Sequence, residues 1–346
     1  MSNRLSREEA LGLFESDDLI GIGMAADAVR RKWHPENVVS YIIDRNINYT
    51  NLCTEYCSFC AFYRPMGHKE GYVHPKEVIF QKIQETLDLG GTGVLMQGGL
   101  HPDLKIEWYE DLLSSIKKNF RIHLHCFSSP EITNIAEVSG ISVRETIARL
   151  MAAGLDSIPG GGAEILDDDV RYRISRLKCN TQEWVDVHRT AHSLGMRTTA
   201  TMMFGCGETL AQRINHLELV RQIQDDTGGF TAFIPWSFQR ENTSLGRFVK
   251  EEATAVEYLQ TLAISRLYLD NFENVQSSWV TQGLKTCQVG LRFGGNDVGS
   301  IMIEENVVSA AGAHHRSTEE ELRRIIRDAG FVPKQRDTLY RTYFLN

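Results

Sequence analysis

Apolar positions along the chain switch repeatedly between two rhythms. Short runs of branched and aromatic residues have the length and composition of buried strands: VVSYIID (38–44), GVLMQGG (93–99), IHLHCF (122–127), LDSIPGGG (155–162), RTTATMMFG (197–205), FTAFIPW (230–236), NVQSSWV (274–280) and LRFGG (291–295). Between most of them apolar residues recur every three to four positions, as at Val78, Ile79, Ile83 and Leu87, which predicts a helix. That helix starts behind Pro75 and stops at Gly90-Gly91. Further helices are predicted over 106–120, 143–153, 182–194, 212–224 and 252–269, whereas 281–290 is too short to predict one. Two helices precede the first strand, one behind the capping box Ser6-Arg7-Glu8-Glu9 and one over 18–33 that ends before Pro35. Strands taking turns with helices form right-handed βαβ units and a parallel sheet, and eight such strands predict an α/β fold, a closed (β/α)8 barrel of the TIM type. Residues 1–37 then read as a helical cap and 38–300 as the barrel. Residues 301–346 read as an extension packed on it, whose helix opens at the capping box Ser317–Glu320 and covers one end of the barrel.

Composition narrows the class. A chain of 346 residues that is 42% hydrophobic and 24% charged is an ordinary folded protein, and no apolar run reaches the roughly 18 residues of a membrane span. A net charge of −8 with scattered Lys and Arg argues against nucleic acid, so a small-molecule substrate is expected. The first residues lack the apolar core of a secretory signal, and the cytoplasm is the expected compartment for reduced thiols.

The candidate chemistry starts at YTNLCTEYCSFCAFY (49–63), where Cys53, Cys57 and Cys60 are spaced C-x3-C-x2-C. Structural zinc takes four ligands and most iron–sulfur clusters are held by four cysteines, so three thiolates leave one metal corner open. A zinc knuckle would need a fourth ligand at zinc spacing, and none is nearby. Tyr56, Phe59, Phe62 and Tyr63 interleave the cysteines and predict a dry shell. The other cysteines, Cys126, Cys179, Cys206 and Cys287, form no second motif and read as small buried hydrophobes. Barrel active sites lie where strands end, and these ends are rich in glycine and polar groups: Gln97-Gly98-Gly99, Ser128-Ser129-Pro130-Glu131, Gly160-Gly161-Gly162-Ala163-Glu164, Gly205-Cys206-Gly207-Glu208 and Gly294-Gly295-Asn296-Asp297. His123 and His125 share one side of their strand, with His125 nearer the active end if that side faces inward. His188 and His192 have the i, i+4 spacing of a zinc protease, but Arg189 stands where the general-base glutamate belongs.

The cysteine triad resembles that of the radical S-adenosylmethionine (SAM) enzymes. The strings NYTNLCTEYCSFCAFYR, GHKEGY, MQGGLHPDLKIEWYEDLL, HCFSSPEI, IPGGGAEIL, TATMMFG, FIPWSFQ and FGGNDVGS resemble, over nearly the whole chain, the branch of that family in the futalosine route to menaquinone and in deazaflavin-chromophore synthesis. The resemblance implies a (β/α)8 barrel of the radical SAM kind and a 4Fe-4S cluster held by Cys53, Cys57 and Cys60, with SAM on the fourth iron. Phe59, Gln97, Gly98, Gly99, Ser128, Glu164 and Lys178 become the cofactor-binding candidates, Lys178 or Arg173 being the cation for the SAM carboxylate. The acidic residue usual after the glycine pair is replaced by Leu100. The implied activity is cyclisation of dehypoxanthine futalosine, with hydrogen abstraction from its ribose and addition to its benzoate ring. Aminofutalosine synthesis and deazaflavin-chromophore synthesis are the sister activities. One proton must be accepted, and His68, His125, Glu164 and Asp297 are the candidates. A one-electron reductant such as flavodoxin or ferredoxin is the implied partner. An electron-transfer protein with four protein ligands on its cluster is the reading of another class, distinguished by a cluster spectrum that ignores SAM.

Overall fold

The computed structural model of the protein describes residues 4–341 and the backbone of 343–344. Two sheets share one chain. The larger contains seven strands in sequence order, β2 (Asp44–Ile47), β3 (Gly93–Met96), β4 (His123–Cys126), β5 (Ser157–Ile158), β6 (Arg197–Phe204), β7 (Phe230–Ser237) and β8 (Asn274–Val275), each parallel to its neighbour. Sequential order with helical crossovers is the winding of a (β/α) barrel, and this is the α/β, TIM-type fold that the alternating rhythm predicts. The smaller sheet has the order β11-β10-β1-β9, with β1 at Val38–Ile42, β9 at Asp297–Ser300, β10 at Val332–Arg336 and β11 at Tyr343–Phe344.

The small sheet ties the ends of the large one. Residues 38–44, expected as one strand, divide at Ile43. The first part, β1, pairs with β10 on one edge and β9 on the other, and the second part, β2, opens the seven-stranded sheet. A single parallel bridge from Gln276 to Asp297 links the segment after β8 to β9. The ring therefore runs from β8 to β9 by one bridge, from β9 to β1 by pairing, and from β1 to β2 through the chain.

The eighth strand is not at 291–295. Those residues form the turn behind a helix, Gly283–Gly290, in the segment that looked too short for one, and the strand comes after them at Asp297–Ser300. The glycines that looked like a strand end belong to that turn: Gly294 has φ +96°, and a Cβ there would lie 2.7 Å from the Arg266 side chain. The C-terminal helix is Glu319–Asp328, capped by Thr318 and Glu321, one residue later than the sequence pattern suggests. It packs its Leu322, Ile325 and Ile326 into an apolar cluster with Val39, Tyr41, Trp279, Leu291 and Val298.

A buried ion pair joins the small sheet at its centre. Asp297 on β9 accepts from Arg336 of β10 through Nε at 2.6 Å and Nη2 at 2.9 Å, from the Ser40 hydroxyl of β1 at 2.5 Å and from the Gly299 N–H at 2.8 Å. The strands β1, β9 and β10 thus all contribute to one carboxylate, which satisfies the rule that a buried charge must be paired and fully hydrogen-bonded. Among the described residues no helix is long and apolar enough to cross a membrane.

Candidate active site

The cysteine loop leaves the end of β2 and is fixed by its backbone. The Cys53 N–H donates to the Arg64 carbonyl at 3.0 Å, the Ser58 N–H to Ile174 at 2.8 Å, and the Leu245 N–H to Ser58 at 2.8 Å. Cys53 and Cys57 are buried, Cys60 is partly so, and none of the three is in a disulfide. The Glu55 N–H lies 3.5 Å from the Cys53 sulfur, and backbone N–H groups of Tyr63 and Phe62 point at Cys60. Burial raises all three thiol pKa values, so the loop alone holds thiols, and a bound metal's charge is what turns such groups into thiolates. Among the described residues no three His, Cys, Asp or Glu side chains converge on a site for a single metal ion. A cubane cluster asks for something else, since each cysteine takes a separate iron and the sulfurs share no centre. Three thiols with amide donors around them and no fourth thiol in the loop fit a cluster with one open corner. The shell is only half dry: Phe59 lies under Lys178 at 5.2 Å, but Tyr56 is 50% exposed, with its ring edge on Tyr63. That exposed side borders a cleft of about 930 Å³ walled by Cys57, Cys60, Tyr63 and the 240–252 loop.

The glycines after β3 are required by this loop. A Cβ on Gly99 would lie 2.2 Å from the Leu52 carbonyl oxygen and 2.8 Å from the Cys53 Cβ, and one on Gly98 would strike the Tyr49 ring at 2.7 Å. Only bare backbone lets β3 end against the cysteines. The Gly98 N–H donates to Glu131 at 2.9 Å, as do the Tyr49 hydroxyl at 2.8 Å and the Ser128 hydroxyl at 2.7 Å, so Ser128 is tied to its own helix and does not reach the cavity. Gln97 lies over Gly161, where a Cβ would lie 2.6 Å from its amide nitrogen.

Glu164 sits beyond the glycine run after β5 with φ +42°, a left-handed backbone that non-glycine residues adopt at some cost. Its buried carboxylate accepts from Lys178 Nζ at 2.9 Å and faces Arg171 at 3.5 Å. Burial opposes the Lys178 charge, but the Glu164 carboxylate outweighs it, so its pKa is raised and the ammonium persists. This cation bridges the cysteine loop, through Phe59, to Glu164 at the rim of the barrel.

Inside the barrel lies a cavity of about 330 Å³. Gln97, Glu164 and Trp236 line it toward the strand ends, Leu95, His125 and Ile234 lower down, and Asp44, Arg336, Thr338 and Tyr340 at its other end. His125 bonds Ser157 Oγ at 2.6 Å, and burial, with His123 and Arg336 adding, pushes it down to about 3, so the ring is neutral. His68 lies on the outer loop, where its Nδ1 accepts the Glu70 N–H, and lines neither space. Arg173 is exposed and donates to the Gly207 carbonyl, away from Glu164. His188 and His192 both bond Thr198 Oγ1 behind the sheet, which removes them from any metal role. The sequence pattern did not reveal Asp44, Asn46, Arg336, Thr338 and Tyr340; only Asp44, an acid at the end of an apolar strand run, carried a visible signal.

The parallel β/α barrel thus surrounds a cavity and carries a loop of three free thiols beside a buried Glu–Lys pair. A model of the radical SAM superfamily matches residues 47–220, and one of the CofH/MqnC C-terminal region matches residues 227–345. The chain belongs to the radical SAM superfamily and, within it, to the CofH/MqnC family, whose chemistry rests on a 4Fe-4S cluster and SAM. It is 52% identical to the cyclic dehypoxanthine futalosine synthase of Halalkalibacterium halodurans, over 97% of this chain and 91% of the relative. It is 43% identical to the 5-amino-6-(D-ribitylamino)uracil–L-tyrosine 4-hydroxyphenyl transferase of Methanococcoides burtonii, over 97% and 95% of the two chains. Among solved structures, methylornithine synthase (PylB) superposes with a TM-score of 0.73 at 18% identity, covering 96% of this chain and 95% of its own, a likeness of fold.

Proposed function

We propose that the protein is a radical SAM cyclase that converts dehypoxanthine futalosine to cyclic dehypoxanthinyl futalosine, a step of the futalosine route to menaquinone. The observation that carries this reading is the 52% identity, across nearly the full length of both chains, to a relative of that name. Cys53, Cys57 and Cys60 hold the cluster, and Phe59, Gln97, the Gly98-Gly99 backbone, Glu164 and Lys178 line the place of SAM. Bound there, the two cofactors supply a 5′-deoxyadenosyl radical that takes hydrogen from the substrate ribose. The chain's own tasks are to orient the substrate, keep water from it and accept one proton. Leu95, Ile234, Trp236, Val280 and Met302 make the cavity walls apolar enough for the second task. The remaining assignments are the cytoplasm, where seven free cysteines stay reduced, and an external one-electron donor such as flavodoxin or ferredoxin.

Substrate deuterated at C4′ of the ribose is expected to give deuterated 5′-deoxyadenosine and a product two hydrogens lighter than substrate. Mass spectrometry reads both. The transferase relative supports a second reading, tested by offering 5-amino-6-(D-ribitylamino)uracil with tyrosine. A coupled product there, or an adenosyl skeleton built into the product, would exclude the cyclase.

Glu164→Gln is expected to weaken SAM binding by about 1.5–3 kcal/mol, the worth of a hydrogen bond to a charged group. Titration of the anaerobically reconstituted protein measures it, and unchanged affinity would remove Glu164 from the SAM site.

A further inference from the structure

The proposed cyclisation ends with loss of one proton and one electron from the substrate's ring, and the need for a proton acceptor rests on that functional reading. The four acceptors suggested by the sequence are all otherwise engaged. His68 is outside the cavity, and both oxygens of Asp297 are taken by Arg336, with Ser40 and Gly299 adding to them. Glu164 lies between Lys178 and Arg171. His125 lines the cavity, but its low pKa makes its protonated form costly near neutral pH.

Asp44 stands differently. Alternation along β2 turns Asp44 and Asn46 toward the cavity and Arg45 outward, where it pairs with Glu85 and Glu304. Another carboxylate of the cavity wall, Glu305, accepts the N–H groups of Val307, Val308 and Ser309. Ser300, whose hydroxyl oxygen accepts the Met302 N–H, is the neighbouring side chain that most favours the ionised form of Asp44. The charged groups facing it are Arg336 and Asp297, which are bonded to each other, so their fields on Asp44 oppose; His125 and Tyr340 line the same cavity. One pleat nearer the strand ends, Asn46 is 7% exposed, and its Oδ1 has no hydrogen-bond partner among the described residues. A buried acceptor left open beside a cavity is a place for a ligand hydroxyl. In register, Asp44 is opposite Gly93, four residues before Gln97, so at about 3.3 Å per residue it sits roughly 13 Å deeper than the strand end.

We propose that Asp44 is a catalytic residue that takes the proton leaving the substrate's aromatic ring, while Asn46 holds a sugar hydroxyl above it. The ring C–H bond breaks, the proton goes to a carboxylate oxygen and the bonding pair stays in the ring. The surplus electron leaves to a one-electron acceptor, an oxidised iron–sulfur centre. Burial first, offset by Ser300 and Arg336, brings Asp44 up to about 6, so it is ionised at neutral pH yet more basic than an exposed carboxylate, as a general base requires.

The test is the amount of cyclised product formed per 5′-deoxyadenosine released by the reconstituted holoenzyme with C4′-deuterated dehypoxanthine futalosine. In Asp44→Asn, deuterium transfer is expected to persist while product per 5′-deoxyadenosine falls by about 10²-fold, the lower range for a positioned base. Asp44→Glu should restore part of the ratio. In the wild type the ratio should drop as pH falls through about 6, and in Asp44→Asn it should be flat across that range. A wild-type ratio in Asp44→Asn, or equal loss of deuterium transfer and product with weakened substrate binding by calorimetry, overturns the proposal. A wild-type enzyme that yields no cyclised product sinks the functional reading instead.

Discussion

Cys57→Ala is expected to reduce SAM cleavage to background while the barrel stays folded. In the proposed cluster each cysteine would take its own iron, so losing one sulfur would leave a second iron without a protein ligand and the cluster with no way to keep a single open corner. The loop itself is held by backbone bonds to Arg64, Ile174 and Leu245 that do not involve the sulfurs. Loss of one buried thiol should therefore cost about 1 kcal/mol of stability, typical of a single substitution. Iron content, 5′-deoxyadenosine release and a thermal melt measured together check this, and the same outcome is expected for Cys53→Ala and Cys60→Ala. A variant that keeps full SAM cleavage contradicts the assignment.

The second large effect is on stability. Arg336→Met removes the cation bonded to Asp297 and leaves its carboxylate buried with the Ser40 and Gly299 donors. Breaking one side of a buried pair costs about 3–5 kcal/mol. With an unfolding entropy of about 2.1 cal/mol/K per residue, that is a fall in melting temperature of roughly 4–7 °C for a chain of this length. The double variant Asp297→Asn with Arg336→Met should recover most of the loss, because the penalty lies in the orphaned charge and not in the missing contact. Urea or thermal denaturation of Arg336→Met, the single variant Asp297→Asn and the double variant decides it. Additive losses would mean that the pair is not coupled.

The alternation of strands and helices was legible because both faces of a parallel barrel sheet are buried, so its strands appear as short apolar runs. The cysteine spacing was legible because local chain geometry sets it. What escaped the sequence depends on contacts between distant segments. Residues 291–295 have the look of a strand end, but their glycines serve a turn pressed against Arg266. VVSYIID is one apolar run, yet it feeds two sheets, because β10 and β9 claim its first half. Asp297 looked like a strand-end acid ready for chemistry. Its partner Arg336 lies 39 residues on, and only pairing across β1 brings the two together. The polar floor of the cavity was hidden for the same reason, since Arg336, Thr338 and Tyr340 come from a segment whose pattern suggested only an outer extension.

The placement of β10 also orders the protein's manufacture. On a ribosome β1 (Val38–Ile42) emerges long before β10 (Val332–Arg336), the strand that covers one of its edges. Until then β1 is a bare strand edge, a template for pairing with another chain, and the far end of the central cavity lacks Arg336, Thr338 and Tyr340. Pairings between segments so far apart in sequence form slowly. The nascent chain thus passes through a long interval in which most of its barrel strands exist but the barrel is open at one end, and chaperone dependence and aggregation during overproduction should concentrate in that interval.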